Sequence, residues 1–220
     1  MNVISMLDAQ RGPEVLLWSG EGHKDLKVAR GIAHALNGDS CEVASPGNPL
    51  SIKRTKLAAL GSVKDLLSQS AAARVRAVVL LVDRDAFTRD PRSDLMEALK
   101  KYGMSADGEL EEIIAWRAYR LHVRSGSHYF TLYVAISGER KEIEEDEDRL
   151  KEIVGARDRK EALKKANAKH LEGAFPGIYK VLEFVKNNCR SVDGSSRRHW
   201  SFRFICPSSA SIPRATILIW

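Results

Sequence analysis

Ala77-Val78-Val79-Leu80-Leu81-Val82 restricts the fold more than any other stretch of the chain: an unbroken apolar run that ends in Asp83. A strand with one solvated face alternates apolar and polar side chains, so a run this uniform belongs at the centre of a parallel sheet covered on both faces. Val15-Leu16-Leu17-Trp18, bounded by Gly12-Pro13 and Ser19-Gly20, reads as a second buried strand. From Asp25 the apolar period becomes helical, with Leu26, Ala29, Ile32, Ala33 and Leu36 on one stripe and Asn37-Gly38 as the stop.

The same alternation continues. Cys41 to Ala44 forms a short strand, and Ser45-Pro46-Gly47-Asn48-Pro49 is loop, because two prolines and a glycine interrupt any ladder or helix. A helix is expected from about Thr55 through Ala73, and another from Arg92 to Tyr102, with Ser93 or Asp94 as cap and Gly103 as stop. Ala118 to Val123 reads as a strand, and His128 to Ile136 as an edge or antiparallel strand joined to it by a Ser125-Gly126-Ser127 hairpin. These elements predict an α/β fold, a doubly wound, mostly parallel sheet with helices on both faces, over residues 12–137.

Residues 138–220 read as a C-terminal helical and β extension that could pack on the same sheet. Lys141 to Ala168 is charged and helix-prone, Ile178 to Val185 carries an apolar stripe that Asn187-Asn188 ends, and Trp200 to Cys206 and Ala215 to Ile219 are read as strands. Cys41, Cys189 and Cys206 form no C-x-x-C pair, which argues against a structural zinc site and fits a reducing, cytoplasmic setting. No signal-peptide pattern and no membrane-length apolar run is seen, so a soluble protein with no membrane partner is expected. The net charge of +6 favours a polyanionic partner. The acidic block Glu144-Glu145-Asp146-Glu147-Asp148 would repel phosphates, so a nucleic-acid surface is expected on another face.

Two acidic signatures follow the two clearest strands: Glu21-Gly22-His23-Lys24-Asp25 and Asp83-Arg84-Asp85, about 60 residues apart. Carboxylates at the carboxyl ends of parallel strands meet in one crevice, where they can hold a hard divalent cation. Residues two apart in extended chain share a face, which would point Asp83 and Asp85 the same way. Glu-Gly-x-x-Asp behind a first strand and Asp-x-Asp behind a later one resemble the Toprim domain of topoisomerases, bacterial-type primases, ribonuclease M5-like maturases and overcoming-lysogenization-defect nucleases. The resemblance covers about residues 14–136 and rests on Glu21, Gly22, Asp25, Asp83 and Asp85, with Ser19-Gly20 standing between the apolar strand and Glu21.

The resemblance implies that Glu21 is a general acid or base and a metal ligand, and that Asp83 and Asp85 bind Mg2+ or Mn2+. Lys24, Arg84 and Arg89 are the nearest cations and would suit phosphate capture, or would simply balance neighbouring carboxylates. The expected function is a metal-dependent nuclease acting on DNA or RNA. The chain has no room for strand-passage domains and no primase-like zinc module. Two alternatives stand beside it. One is an inactive Toprim-fold module that binds nucleic acid or a protein partner, or forms a homo-oligomer. The other is a nucleotide phosphohydrolase or phosphotransferase, which the absence of G-x-x-x-x-G-K-[ST] keeps outside the P-loop class. His170-Leu171-Glu172 resembles an accessory metal- or phosphate-binding stretch of some Toprim nucleases but reads better as surface helix, and His122 and His128 read as packing or hydrogen-bonding residues. Arg197-Arg198-His199-Trp200 could stack on a base or anchor a terminal strand.

Overall fold

The computed structural model describes residues 2–5, 14–20, 22–36, 42–45, 56–69, 72 and 74–189. The predicted strands Trp200 to Cys206 and Ala215 to Ile219, the Arg197–Trp200 cluster, Cys41 and Glu21 lie outside these residues.

β4 (Ala77–Asp83) is buried at every position. Its odd-numbered apolar residues, Ala77, Val79 and Leu81, enter one core, and Val78, Leu80 and Val82 enter the other. That two-faced burial is why the run contains no polar position. β2 (Val15–Ser19) is divided in the same way and pairs with β4 in parallel. Around this pair the described residues form a mixed, mostly parallel α/β sheet, with β1 (Asn2–Ser5) and β3 (Glu42–Ser45) beyond β2. On the other side come β8 (His128–Ser137), β7 (Ala118–Ser125) and β5 (Ser105–Ala106), and β6 (Glu111–Ile114) also pairs with β7. The four strands from β1 to β4 are parallel and β8 is parallel to β4, whereas β5, β6 and β7 bring the antiparallel pairings.

One face of the sheet is covered by α1 (His23–Ala35) together with α4 (Ile143–Val154), α5 (Arg159–Lys165), α6 (Ala168–Ala174) and α7 (Pro176–Cys189), all sharing a core with β2, β4 and β8. The other is covered by α2 (Ala59–Leu67) and α3 (Pro91–Lys101). No helix among the described residues is long and apolar enough to cross a membrane.

Several local readings change. β8 forms the expected hairpin with β7 but is an interior strand, parallel to β4 on its other side. Its Tyr and Thr positions imitate the polar half of an edge strand, yet Tyr133 is 1% exposed because a phenol ring packs as an apolar body. The helix expected over Thr55–Ala73 is a 3-10 turn, Lys56–Ala58, and then α2, which stops at Leu67 when the chain turns toward β4. α3 is capped by Asp90, whose carboxylate accepts from Ser93 N–H at 3.2 Å, with Pro91 at the first helical position. The run Lys141–Ala168 holds two helices, parted by Gly155 in the left-handed region (φ 62) and restarted by the Asp158 cap, and ends on the first residue of α6.

Candidate functional site

The chain leaves β2 through α1 to β3 on one side, then returns by α2 to β4 on the other. The strand order therefore reverses between β2 and β4, and in open α/β sheets ligands bind beyond the carboxyl ends of strands at such a switch point. Both acidic signatures issue from this place. Ser19 pairs with Leu81, and the Gly20 N–H donates to Leu81 O at 2.8 Å, so Ser19-Gly20 prolongs β2 along β4. Gly20 is also where two backbones close up: its carbonyl accepts from Lys56 N–H at 2.9 Å, and a Cβ there would stand 2.7 Å from Lys56 O.

Asp83 and Asp85 end up in different surroundings. Asp83 closes β4, is 6% exposed, and its Oδ1 accepts from the Ile143 N–H at 3.1 Å, just where α4 begins. Asp85 is exposed and pairs through Oδ2 with Lys56 Nζ at 2.8 Å. The shared direction expected for them does not arise, because Arg84–Ala86 is a 3-10 turn and the two-residue repeat of extended chain ends at Asp83. One carboxylate turns to the α4 layer and the other to the segment that opens α2.

On the α4 side the rim carries a layer of buried polar groups. Ser19, Asp83 and Ser137 follow the residues of β2, β4 and β8 that face this core, and Asp25, Asp146 and Glu147 are buried with them. Gly22, at φ 125, donates its N–H to Ser19 Oγ at 2.9 Å, and that hydroxyl donates to Asp25 Oδ2 at 2.9 Å. Among the described residues Asp25 Oδ1 is buried without a hydrogen-bond partner, as is Ser137 Oγ. Burial pushes the Asp25 carboxyl up to about 6, the Ser19 hydroxyl offsets part of that rise, and Glu144 and Glu147 add to it.

The acidic block lies on this rim rather than on a face of its own, and its residues are internally matched. Glu144 pairs with Lys24, Asp146 with Arg117 and the Gly138 N–H, Glu147 with Arg159, and Asp148 with Lys151. Glu145 accepts from the N–H groups of Glu139, Arg140 and Lys141 at 2.7–3.2 Å, which holds its carboxyl below the usual range. Of the three predicted phosphate ligands, Lys24 therefore balances Glu144, and Arg89 pairs with Glu97 and Asp94. Arg84 differs: its guanidinium carbon lies 4.8 Å from the centroid of the Trp116 ring, and its Nη1 is buried with no hydrogen-bond partner among the described residues.

Lys56, Ser137, Trp116, Arg140 and Lys141 are the rim residues that sequence reading did not single out, and Ser19 was named there only as a step between the strand and Glu21. Arg140 and Lys141 lie in the loop that follows β8, after Gly138 and Glu139, and Lys141 O accepts the Asp85 N–H at 3.1 Å, so the loop past a third parallel strand was the signal available. Elsewhere, His128 bonds Val75 O at 2.8 Å and His122 bonds Thr131 at 3.2 Å, as expected, while His170 completes the capping box of α6 on Asn167.

Among the described residues no three Asp, Glu, His or Cys side chains stand together closely enough to hold a metal ion. The donors at the rim are carboxylates and hydroxyls, a set that suits a hard oxygen-seeking cation and not zinc. Comparison with known proteins finds no matching family model, no matching curated protein and no matching solved structure.

Proposed function

We propose that the chain is a Toprim-like, magnesium-dependent enzyme acting on the phosphodiester backbone of DNA or RNA, most simply a nuclease. The observation that carries this reading is the issue of Glu21-Gly22-x-x-Asp25 and Asp83-x-Asp85 from neighbouring parallel strands at the topological switch point. Asp83 and Asp85 would hold the ion, which when bound would neutralise charge on the scissile phosphate. For that, Lys56 has to release Asp85, a small demand for an exposed ion pair, and Asp83, buried against the Ile143 N–H, has to turn toward Asp85, the larger demand. Glu21, between Gly20 and Gly22, is the residue assigned to move the proton.

The test is cleavage of labelled single- and double-stranded DNA and RNA in magnesium, manganese or chelator. Metal-dependent cleavage should fall by at least about 100-fold in Asp83→Asn, Asp85→Asn and Glu21→Gln, within the range general acid–base and electrostatic contributions span. Asp83→Asn keeps an acceptor for the Ile143 N–H, so it separates chemistry from folding. Cleavage that ignores all three substitutions would sink the reading.

A second reading has its own observation. Asp83 Oδ1 is already engaged by Ile143 N–H and Asp85 Oδ2 by Lys56, as in a Toprim scaffold kept for binding alone. Salt-sensitive retention of nucleic acid without turnover in any metal would favour it.

A further inference from the structure

We propose that Trp116 is a stacking platform for an unpaired nucleobase, backed by Arg84 and set beside the Asp83–Asp85 turn, so that the preferred ligand is single-stranded or locally unpaired nucleic acid. The ligand class rests on the phosphodiester reading above; the platform rests on geometry of its own.

Trp116 lies in the turn between β6 and β7 and is 48% exposed. β7 runs antiparallel to β8, and the Ile136 N–H donates to Arg117 O at 2.8 Å, which brings this turn to the carboxyl rim that carries Asp83. Its backbone adopts φ 62, a left-handed conformation that a bulky aromatic residue rarely takes. Strain of that kind persists where the surroundings enforce it and is concentrated at working sites. Here Glu112 enforces it: one carboxylate oxygen accepts the Trp116 N–H at 2.9 Å and the Tyr119 hydroxyl at 2.9 Å.

Arg84 lies over the ring and is the residue between the two aspartates. A cation on an indole face is a stable arrangement and leaves the guanidinium charge in place for a phosphate. Arg84 stands over the ring and Glu112 holds the Trp116 backbone N–H, so the two side chains placed at this residue are polar. An ordinary protein interface needs a continuous apolar core, whereas a stacked base needs one π face with cations alongside. Arg140 and Lys141, exposed on the loop that touches Asp85, extend the positive track. In a duplex the base faces are already stacked, so the platform has no use there.

The experiment is fluorescence-anisotropy binding of labelled single-stranded DNA, RNA and the corresponding duplex in EDTA, over a range of salt concentrations. Trp116→Leu should weaken single-strand binding by between about 5- and 150-fold, the range that loss of one stacked base spans, while Trp116→Phe stays close to wild type. The salt dependence should be unchanged in both, because no phosphate contact is lost, and duplex binding should not respond. Trp116→Gly, which suits the left-handed backbone, should weaken binding as Trp116→Leu does and so excludes misfolding as the cause. The proposal is overturned if Trp116→Leu binds like wild type, if Trp116→Phe loses as much as Trp116→Leu, or if no oligonucleotide is bound. Binding that depends on Trp116 without metal-dependent cleavage would uphold the platform and sink the nuclease reading. Cleavage that needs Asp83 but ignores Trp116 at low substrate would do the reverse.

Discussion

The two ends of one short turn, Asp83-Arg84-Asp85, face opposite physical regimes. On the Asp83 side α4 closes over the sheet, and Ser19, Asp25, Asp83, Ser137 and Asp146 are withdrawn from water. On the Asp85 side the carboxylate, Lys56 and Trp116 remain accessible. A polar group in the closed half depends on a neighbour rather than on water, and an orphan there, as at Asp25 Oδ1 and Ser137 Oγ among the described residues, is costly. In the open half a lost contact is replaced by solvent, so the same kind of substitution should change binding much more than stability. The contrast gives the closed half the task of holding the strand ends in place, and on the proposed reading a ligand would be met from the open half, with Asp83 at the boundary between them.

The largest effect should come from Asp25. Its carboxyl is raised from 3.8 to about 6 by burial, so between those values the folded state keeps a proton that the unfolded chain has lost. Stability from this group is complete below 3.8 and is lost as pH rises through about 6. Asp25→Asn abolishes the ionisation while keeping an acceptor for Ser19. Its unfolding free energy should match wild type at acid pH and exceed it by about 3 kcal/mol above pH 6, from a rise of about two units at ~1.4 kcal/mol each. Chemical denaturation of both proteins across the acid-to-neutral range measures it, and a difference that does not change with pH would remove Asp25 from the closed half.

Asp83 should follow. Asp83→Ala strands the Ile143 N–H at the start of α4, which costs about 1–3 kcal/mol for a buried donor, while Asp83→Asn should lose much less. The denaturation midpoints of the two variants give the comparison. Equal losses would mean that α4 does not depend on this bond, and the closed half would then be closed by packing alone.

How much of this was legible in the chain follows from where each signal resides. Ala77–Val82 and Val15–Trp18 announce themselves because burial on both faces leaves a mark at every residue. β6 leaves none: Glu111 and Glu112 are exposed and its isoleucines only half-buried, so neither alternation nor an apolar run appears. The rim was legible as a position, since strand ends can be read from sequence. Its division was not: that Asp83 caps α4 and Asp85 meets Lys56 depends on a 3-10 turn and on a helix 60 residues away. The acidic block was legible only in part, for a related reason. Net charge is visible in sequence, but the pairing of Glu144, Asp146 and Glu147 with Lys24, Arg117 and Arg159 is a property of the folded chain.

The smallest effect is expected from the Lys56–Asp85 pair, where the open half makes its sharpest claim. Both side chains keep a large share of their exposure, 44% for Lys56 and 37% for Asp85, so water already solvates the charges that the contact at 2.8 Å brings together. Coulomb attraction in that setting is screened, and holding two long side chains in one geometry costs entropy. A double-mutant cycle with Lys56→Met and Asp85→Asn should therefore give a coupling of about 0.2–1 kcal/mol, shrinking further as salt is added. The Lys56 backbone link to Gly20 O survives either substitution, so the closure of β2 on this segment should be unaffected. A coupling several times larger and indifferent to salt would show Asp85 locked in place as firmly as Asp83. The open half would then be closed too, and Asp85 could not be released to bind an ion.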